Sequence, residues 1–508
     1  ICRIRQEGAT LFFRGGPFDK VKYEALLEGL EISEVTLSEV LKDNKTKRID
    51  SEYFKKQFLN FFDNVSHLRS LGDFVEDGYR VVYENTKVIN EQIARENNYP
   101  VFLQATDINT PFIEKTNLHY VNESEWIRYP KGRIKKGEIL IEVKGKIEKV
   151  AIVPDDFPEK TLVSGSLYKM TINEKISKYV LLCYIISKYG VAFKDRYKTN
   201  LLISFVGKSD LYRIPVPDFS IAFQNRIDET FARIIDCQEQ TKTLYAEAEN
   251  ILLKELGLGG DVADMSCHEV SACGYKSSSP CVVIKSFSDF VNSGRLDAEY
   301  YQPKYDNLFT QLNKFETKRL GDIVQIRKSI EPGSEAYQNQ GIPFMRVANL
   351  SKFGFSDTDI HLLPDEYGDI IRPKQNTILL SKDGSVGIAY KVEQDMEVIT
   401  SGAILHLTIT DNEFMPDYLT LVLNSVVVGM QAERDAGGSI IQHWKPSEIE
   451  NVIVPKLSQE IQQEITDKVR ESFALRKESR RLLNLAKTAV ETAIEQGENV
   501  AMKLLNIE

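Results

Sequence analysis

Lysines stand at the ends of two predicted strands, where their ammonium groups could bind phosphate or the edges of bases. Lys144 and Lys146 follow one apolar strand, while Lys382 and Ser385 surround the dipeptide Asp383-Gly384 after another. Asp-Gly between two apolar runs is a strong indication of a hairpin turn. A hairpin turn and a contact with nucleic acid are compatible, because a basic hairpin tip can meet phosphate or a base edge. We therefore predict hairpins at both places and interpret their lysines as contacts to DNA.

Polar side chains also follow the first strand of two similar regions, and there the regions differ. Gln104 begins Gln-Ala-Thr-Asp in one region, and Arg346 begins Arg-Val-Ala-Asn, which ends at Asn349, in the other. Further along, a Gly-Gly pair precedes Gln442 and His443, whose side chains can distinguish donors from acceptors on bases. An ordinary loop closed by a buried tryptophan is the alternative interpretation there. The candidate DNA contacts are Gln104, Lys144, Lys146, Lys194, Arg196, Arg346, Asn349, Lys382, Ser385, Gln442 and His443.

Patterns for an active site or a metal site are weak. Gly207-Lys208-Ser209 resembles the end of a phosphate-binding loop, but the position that requires glycine five residues earlier is Leu202. A cluster of Cys267, His268, Cys273 and Cys281 has gaps too wide and uneven for the paired ligands of a structural zinc site. The six histidines are scattered, and no Gly-x-Ser-x-Gly or His-Glu-x-x-His pattern occurs. We therefore predict no catalytic residue, no metal and no cofactor in this chain.

The elements that position these residues occur twice, in the same order. Residues 48–54 (Arg-Ile-Asp-Ser-Glu-Tyr-Phe) return as 295–301 (Arg-Leu-Asp-Ala-Glu-Tyr-Tyr), and the Leu-Gly-Asp at 71 returns at 320. The offset of ~240–250 residues is far longer than the period of a solenoid repeat. The sequence therefore indicates a duplicated domain, and two related domains on one chain can bind two patches of one partner.

A long helix is predicted after each β-rich region. Apolar residues recur at steps of three and four over roughly residues 220–256 and 458–505, with charged residues opposite them. Ser220 and Ser458 are suited to cap the two N-termini. A helix of ~35–45 residues with one apolar stripe needs a helical partner, and the nearest is its own copy. The Gly- and Ser-rich segment 257–280 is predicted to be an exposed, mobile linker.

These observations predict an α+β fold with two tandem, mixed but β-rich domains. Each domain is followed by a long helix, and the two helices pair with each other. The predicted segments are 1–45 without an assigned role, 46–217 as the first β-rich domain, 218–257 as the first helix, 258–282 as the linker, 283–455 as the second β-rich domain and 456–505 as the second helix.

Bulk composition bounds the class of protein. A chain of 508 residues is too long to fold around one hydrophobic core. Its content of 42% hydrophobic and 27% charged residues is ordinary for a globular protein. No apolar run approaches the ~20 residues that span a bilayer. Six cysteines are too few for a disulfide framework, so we expect a cytoplasmic protein. The net charge of −10 confines any DNA binding to local patches or to basic partner subunits.

The combination resembles one known family. The run Ser-Ile-Ile-Gln-His-Trp at 439–444, followed by Pro455 and Gln462, and the run Arg-Leu-Asp-Ala-Glu-Tyr-Tyr-Gln-Pro at 295–303 are similar to segments of the specificity subunits of type I restriction–modification systems. The resemblance covers roughly residues 35–500. It departs from the family in the first domain, where Asn-Leu-Leu-Ile-Ser at 200–204 stands in place of the Gly-Gly-Ser-Ile-Ile-Gln-His run.

The resemblance implies a subunit without its own active site. Each β-rich domain would be a target recognition domain that binds one part of a split double-stranded DNA target. The two helices would pack as an antiparallel coiled coil, which would set the gap between the parts and dock partners. The implied partners are two modification methyltransferase subunits, which use S-adenosylmethionine, and restriction translocase subunits. Because the two domains differ at Gln104 and Arg346, we predict an asymmetric target. Two other classes stay open: the specificity portion of a fused methyltransferase-endonuclease, and a scaffold that binds protein and not DNA.

Overall fold

The computed structural model describes residues 67–84, 86–113, 115, 118–199, 203–258, 283–437 and 442–506, together with residues 2–5, 21, 23, 25, 28–29, 33–42, 48, 51–56, 58 and 61. The predicted linker, except residue 258, and its cysteines lie outside this part of the chain, and so do residues 438–441 of the Gly-Gly run.

The chain divides into two compact units. The first unit comprises Ile1–Ile235 and Ser479–Glu508, and the second comprises Asp236–Glu478. This division falls inside both long helices, so each unit contains one β-rich body and a part of each helix. Each predicted domain is one continuous segment of the chain, whereas packing joins two separate segments, 1–235 and 479–508, in the first unit.

The β-rich body of the first unit has two four-stranded sheets. One sheet is antiparallel throughout, and the other contains one parallel pair, Thr161–Val163 with Val101–Leu103. In sheet order, the first consists of Val150–Ile152, Ile139–Glu142, Leu167–Ile172 and Val75–Tyr79, and the second of Thr161–Val163, Val101–Leu103, His119–Val121 and Val88–Ile89. The two-stranded pairs are Pro215–Pro217 with Leu68–Ser70, Ile108–Asn109 with Phe112–Ile113, and Cys2–Arg5 with Ser33–Thr36.

The second unit repeats the main features of this topology. Its four-stranded antiparallel sheet has the order Ala389–Lys391, Ile378–Ser381, Ile404–Ile409, Val324–Lys328, and its three-stranded sheet has the order His361–Leu362, Ile342–Met345, Ile399–Thr400. The parallel pair recurs between Ile342–Met345 and Ile399–Thr400. The two-stranded pairs are Thr317–Arg319 with Ile453–Pro455 and Leu350–Ser351 with Gly354–Phe355. The duplication inferred from the sequence is therefore a duplication of fold.

The helices follow the same repeat. The pair Lys178–Ile186 and Lys188–Tyr197 of the first unit corresponds to Pro416–Asn424 and Val426–Asp435 of the second. Among the described residues, the other α-helices are Leu37–Lys42, Glu91–Glu96, Glu123–Arg128, Lys208–Tyr212, Ile221–Glu255, Phe287–Ser293, Pro303–Leu312, Leu320–Ile323, Pro364–Tyr367, Pro446–Glu450, Gln459–Gln496 and Glu498–Asn506. Short 3₁₀ turns are Ser51–Phe54, Leu71–Phe74, Ala105–Asp107, Pro130–Gly132, Ala298–Tyr301, Ser334–Ala336 and Val347–Asn349.

Both predicted long helices form. The first, Ile221–Glu255, begins after Ser220, whose hydroxyl accepts a hydrogen bond from the backbone N–H of Phe223 at 3.2 Å. The apolar periodicity predicts a second helix that is continuous to residue 505, but this helix ends at Gln496. Gly497 adopts a left-handed φ of 87° before the helix Glu498–Asn506, and a glycine in this conformation commonly ends a helix.

Parts of the two long helices pack against each other within each unit. In the second unit, the hydroxyl of Ser472 donates to the carbonyl of Thr241 at 3.1 Å, and Lys468 lies 2.7 Å from Glu247. Position 241 pairs with 472 and position 247 with 468, so this helix pair is antiparallel as predicted. In the first unit, Phe223, Ile227, Phe231, Ile234, Leu482, Ala486, Ala489 and Val490 belong to one buried apolar cluster.

Candidate nucleic-acid interface

Each unit presents a short turn directly after the strand that forms the parallel pair. In the first unit, the carboxylate of Asp107 accepts a hydrogen bond from the backbone N–H of Gln104 at 2.7 Å. In the second unit, the side-chain oxygen of Asn349 accepts from the backbone N–H of Arg346 at 3.1 Å. We call Gln104–Asp107 and Arg346–Asn349 the recognition turns. The fourth residue of each turn fixes the backbone from which the first residue projects.

The fourth residues are themselves anchored. Asp107 is 8% exposed, and one of its oxygens lies 3.7 Å from Nδ1 of His119. The side-chain nitrogen of Asn349 donates to the carbonyl of Asp357 at 3.0 Å. Asn349, a candidate DNA contact, therefore uses both ends of its amide inside the protein, and the geometry gives it a positioning role.

Each unit also has a hairpin tip, confirmed at both predicted places. In the first unit, Gly145 has a φ of 117° and its N–H donates to the carbonyl of Ser204 at 3.1 Å. The carboxylate of Glu142 closes the tip by accepting from the backbone N–H groups of Glu148 and Lys149. Lys144 and Lys146, which flank Gly145, are exposed. Both lysines can therefore meet an external phosphate.

The second hairpin tip pairs with the chain in the same way. Gly384, with a φ of 74°, donates its N–H to the carbonyl of Gln442 at 2.9 Å, and Asp383 forms a β-bridge with His443. Lys144 forms the equivalent bridge with Phe205 in the first unit. The candidates Gln442 and His443 are exposed here, and Ser385 is exposed as well.

Lys382, Asp383 and His443 form a charged cluster at the second tip. Nζ of Lys382 contacts one carboxylate oxygen of Asp383, and Nδ1 of His443 lies 2.9 Å from the other. Burial alone would raise the pKa of Asp383, but the hydrogen bonds from Lys382 and His443 outweigh it, and the pKa is lowered. Lys382 is only 13% exposed, whereas His443 is 62% exposed. His443 is consequently the more accessible of these two side chains.

A three-residue connector joins the recognition turn to the hairpin tip. In the first unit, Ser164 donates its N–H to the carbonyl of Leu103, and the carbonyl of Ser166 accepts from the N–H of Val143. Gly165 stands between them, and an added Cβ there would lie 3.0 Å from the carbonyl oxygen of Val81. The turn and the tip therefore lie on the same edge of the first unit.

The second unit has the same connector at residues 401–403. Ser401 donates to the carbonyl of Met345, and the N–H of Lys382 donates to the carbonyl of Ala403. The connector is absent from the sequence-based prediction, although Val-Ser-Gly-Ser at 163–166 and Thr-Ser-Gly-Ala at 400–403 repeat each other. A comparison of the two halves for short Ser-Gly pairs would have found it.

Two of the predicted DNA contacts are buried in the first unit. Lys194 is 2% exposed, and its ammonium group forms no hydrogen bond with the described residues. Burial lowers the pKa of Lys194 to about 8 and also lowers the pKa of Arg196, which is 7% exposed. The guanidinium of Arg196 lies over the ring of Tyr53 at 4.4 Å. In this fold, therefore, neither side chain is accessible to DNA.

The burial of Arg196 is linked to the repeated Arg-x-Asp-x-Glu-aromatic run. Arg48 donates to the carbonyls of Arg196 and Lys198 at the C-terminus of one helix, and Arg295 donates to the carbonyl of Asp435 at the equivalent end. Cations at helix C-termini complement the helix dipole. The repeated run is therefore structural in both units.

The family comparison matches the part of the chain that carries the second recognition turn and hairpin tip. Residues 313–479 match the family model of the type I restriction modification DNA specificity domain. Over these residues the chain is similar to the DNA specificity domains of type I restriction–modification systems. The resemblance drawn from the sequence is confirmed there, and the first unit repeats the main features of this domain's topology.

Solved structures give weaker likenesses. The S subunit of a type I restriction–modification system from M. genitalium has a TM-score of 0.35 and 11% identity, over 87% of this chain and 96% of that chain. The HsdS subunit from Thermoanaerobacter tengcongensis has a TM-score of 0.26 and 15% identity, over 85% of this chain and 97% of that chain. The type IIG restriction endonuclease BpuSI has a TM-score of 0.27 and 13% identity, over 36% of this chain and 28% of that chain. At these TM-scores they carry no argument about function, and no curated protein matches the chain.

The part of the chain that the structure describes offers no cluster of metal ligands. Among those residues, no group of three or more His, Cys, Asp or Glu side chains could hold a metal ion. Their helices likewise include none that combines the length and the apolar character needed to span a membrane.

Proposed function

We propose that this chain is the DNA specificity subunit of a type I restriction–modification complex. It binds a split, asymmetric double-stranded DNA target and directs adenine methylation and restriction by partner subunits, without an active site of its own. The observation that carries the proposal is the family match of residues 313–479 together with the repetition of its fold in the first unit. A duplicated specificity domain supplies two DNA-binding surfaces on one chain.

The shared edge of turn, connector and tip is the proposed DNA surface of each unit. Phosphate contacts position a protein on DNA, and contacts to base edges supply the sequence preference. The exposed lysines of the first tip suit phosphate, while the recognition turns supply Gln104 and Arg346 for base edges. Lys194 and Arg196 are not part of this proposed surface.

The asymmetry of the target follows from differences between equivalent positions. Lys144 and Phe205 pair in the first tip where Asp383 and His443 pair in the second. The exposed lysines of the first tip and the Lys382–Asp383–His443 cluster of the second present different charges to DNA. We therefore propose two different half-sites, each bound by one unit.

The proposed partners are two modification methyltransferase subunits, which bind S-adenosylmethionine, and restriction translocase subunits. A methylated base is normally flipped out of the duplex before the reaction. A non-catalytic specificity subunit would therefore fix the DNA while its methyltransferase partner carries out the chemistry.

The test is a single-molecule methylome of an unmodified host that expresses this chain with its modification subunit. The expected result is a new split motif of methylated adenines with two different halves, absent when either gene is omitted. Identical halves would contradict the asymmetric target. If the two proteins form a complex but no new methylation appears, the specificity role fails and a protein-binding scaffold is favoured.

A further inference from the structure

We infer that Arg346 and Gln104 are equivalent base-contacting residues, and that they select guanine and adenine, respectively, at one position of each half-site. This inference rests on the proposed function and specifies what the two surfaces bind. The repeat provides an internal comparison between the two recognition turns.

The backbones of the two positions are nearly superimposable in their torsion angles. Gln104 has φ −108° and ψ 165°, and Arg346 has φ −104° and ψ 169°. The residue that ends each turn is similar as well, with φ −95° and ψ 118° at Ile108 against φ −87° and ψ 132° at Leu350. The two side chains therefore leave equivalent turns in the same direction relative to their own unit.

Neither side chain forms a hydrogen bond or an ion pair with the described residues. The backbone N–H of Arg346 is bound within its turn, while its guanidinium forms no hydrogen bond or ion pair with the part of the chain that the structure describes. The same holds for the amide of Gln104, although Gln104 is half-buried and Arg346 is exposed. Direct contact with a base requires a polar group whose hydrogen bonds are not already made within the protein and whose backbone is held in place.

The fixed backbone distinguishes a base contact from a general phosphate contact. Asn349 is anchored at both ends of its amide, and the connector joins the turn to the hairpin tip. A guanidinium can donate two hydrogen bonds to O6 and N7 of guanine, and a glutamine amide can pair with N6 and N7 of adenine. One repeat therefore carries the side chain for guanine where the other carries the side chain for adenine.

The duplication also supplies matched variants. Arg346→Gln and Gln104→Arg each introduce a side chain that the other repeat carries on almost the same backbone. The two swaps serve as controls for each other, because Arg346→Gln should alter only the half-site bound by the second unit and Gln104→Arg only the half-site bound by the first. Each variant is expressed with the modification subunit, and its methylome is compared with the wild type.

In the motif methylated with Arg346→Gln, adenine should replace one guanine of one half-site, or the preference for that guanine should fall by about tenfold or more. This is the discrimination that one bidentate contact provides. Gln104→Arg should change one adenine of the other half-site towards guanine. Each swap should leave the other half-site as in the wild type. If a variant methylates no site, its purified complex is tested on four duplexes that differ only at the inferred position.

Equal weakening of binding on all four duplexes would overturn the inference, because a phosphate contact strengthens binding irrespective of sequence. An unchanged motif in Arg346→Gln would overturn it too. A wild-type complex that methylates no split motif would instead refute the proposed function, so the two failures are distinguishable.

Discussion

Replacing Lys194 with methionine should stabilise the first unit and leave DNA binding unchanged. Lys194 is 2% exposed, its ammonium group has no hydrogen-bond partner among the described residues, and burial lowers its pKa to about 8. Charges on Asp195, Glu142 and Glu148 oppose this shift only in part. Methionine keeps most of the length of the side chain and removes the buried charge. The equivalent position of the second unit is Ala432, which is also buried.

The pKa of Lys194 gives the expected size of the stabilisation and the direction of its pH dependence. The folded protein releases the proton of Lys194 near pH 8, whereas the unfolded chain retains it to the ordinary value of 10.5. The cost of the buried charge is therefore fully present below pH 8 and is relieved between pH 8 and 10.5. The difference between pKa values of 10.5 and about 8 corresponds to about 3 kcal/mol, so Lys194→Met should gain up to this amount at pH 7. At pH 9.5 the gain should shrink to about 1 kcal/mol.

Urea unfolding at both pH values, followed by hydrogen exchange in peptides of each unit, would measure the gain. Peptides from the first unit should show the stabilisation, and those from the second unit serve as the internal control. The affinity of the complex for its target DNA should be unchanged. Destabilisation at pH 7, or a gain that grows with pH, would refute the reasoning from burial, and weaker DNA binding would restore Lys194 as a contact.

Three further predictions concern the surface and the core. Replacing Lys144 and Lys146 with alanine should reduce the slope of log K against log salt by about 0.9 for each phosphate that is no longer neutralised, as measured by titrations at several salt concentrations; an unchanged slope would argue against phosphate contacts. Burial lowers the pKa of His406 to about 4. The unfolded chain therefore binds a proton near pH 6.5 before the folded one does, and the second unit should lose up to about 3 kcal/mol of stability between pH 6.5 and 4. His406→Gln should flatten that dependence in thermal melts, and parallel curves for both proteins would contradict the assignment. Gly165→Ala should shift the first connector, because its Cβ would meet the carbonyl oxygen of Val81 at 3.0 Å; methylation should slow and the melting temperature should fall, since overpacking that moves the backbone costs stability, and an unchanged rate and melting temperature would contradict the shift.

Periodicity and repetition in the sequence predict the helices and the duplication. An apolar stripe is a local property of the chain, so the helix predicted from residue 220 forms as Ile221–Glu255. The stop at Gly497 is equally local, since a glycine in the left-handed region ends a helix, although the apolar stripe alone does not reveal it. The turns at Gly145 and Gly384 are predictable for the same reason.

The candidate site is predictable only in part, because residue type does not determine exposure. Lys194 and Lys144 are both lysines near apolar segments, yet one is buried in a helix and the other is exposed at a hairpin tip. The sequence favours Arg196 as a DNA contact, but its ring partner Tyr53 lies 143 residues earlier in the chain. A contact over that separation leaves no local pattern.

Short-range spacing and comparison of the two halves predict the duplicated fold, the long helices except for the break at Gly497, the hairpins, and the side chains that differ between the repeats. The fold alone brings particular polar residues to one edge. It placed the recognition turn beside the hairpin tip through the Ser-Gly connector and removed Lys194 and Arg196 from the surface. Strand pairing and burial depend on contacts between residues far apart in the chain, and for that reason only the folded chain shows them.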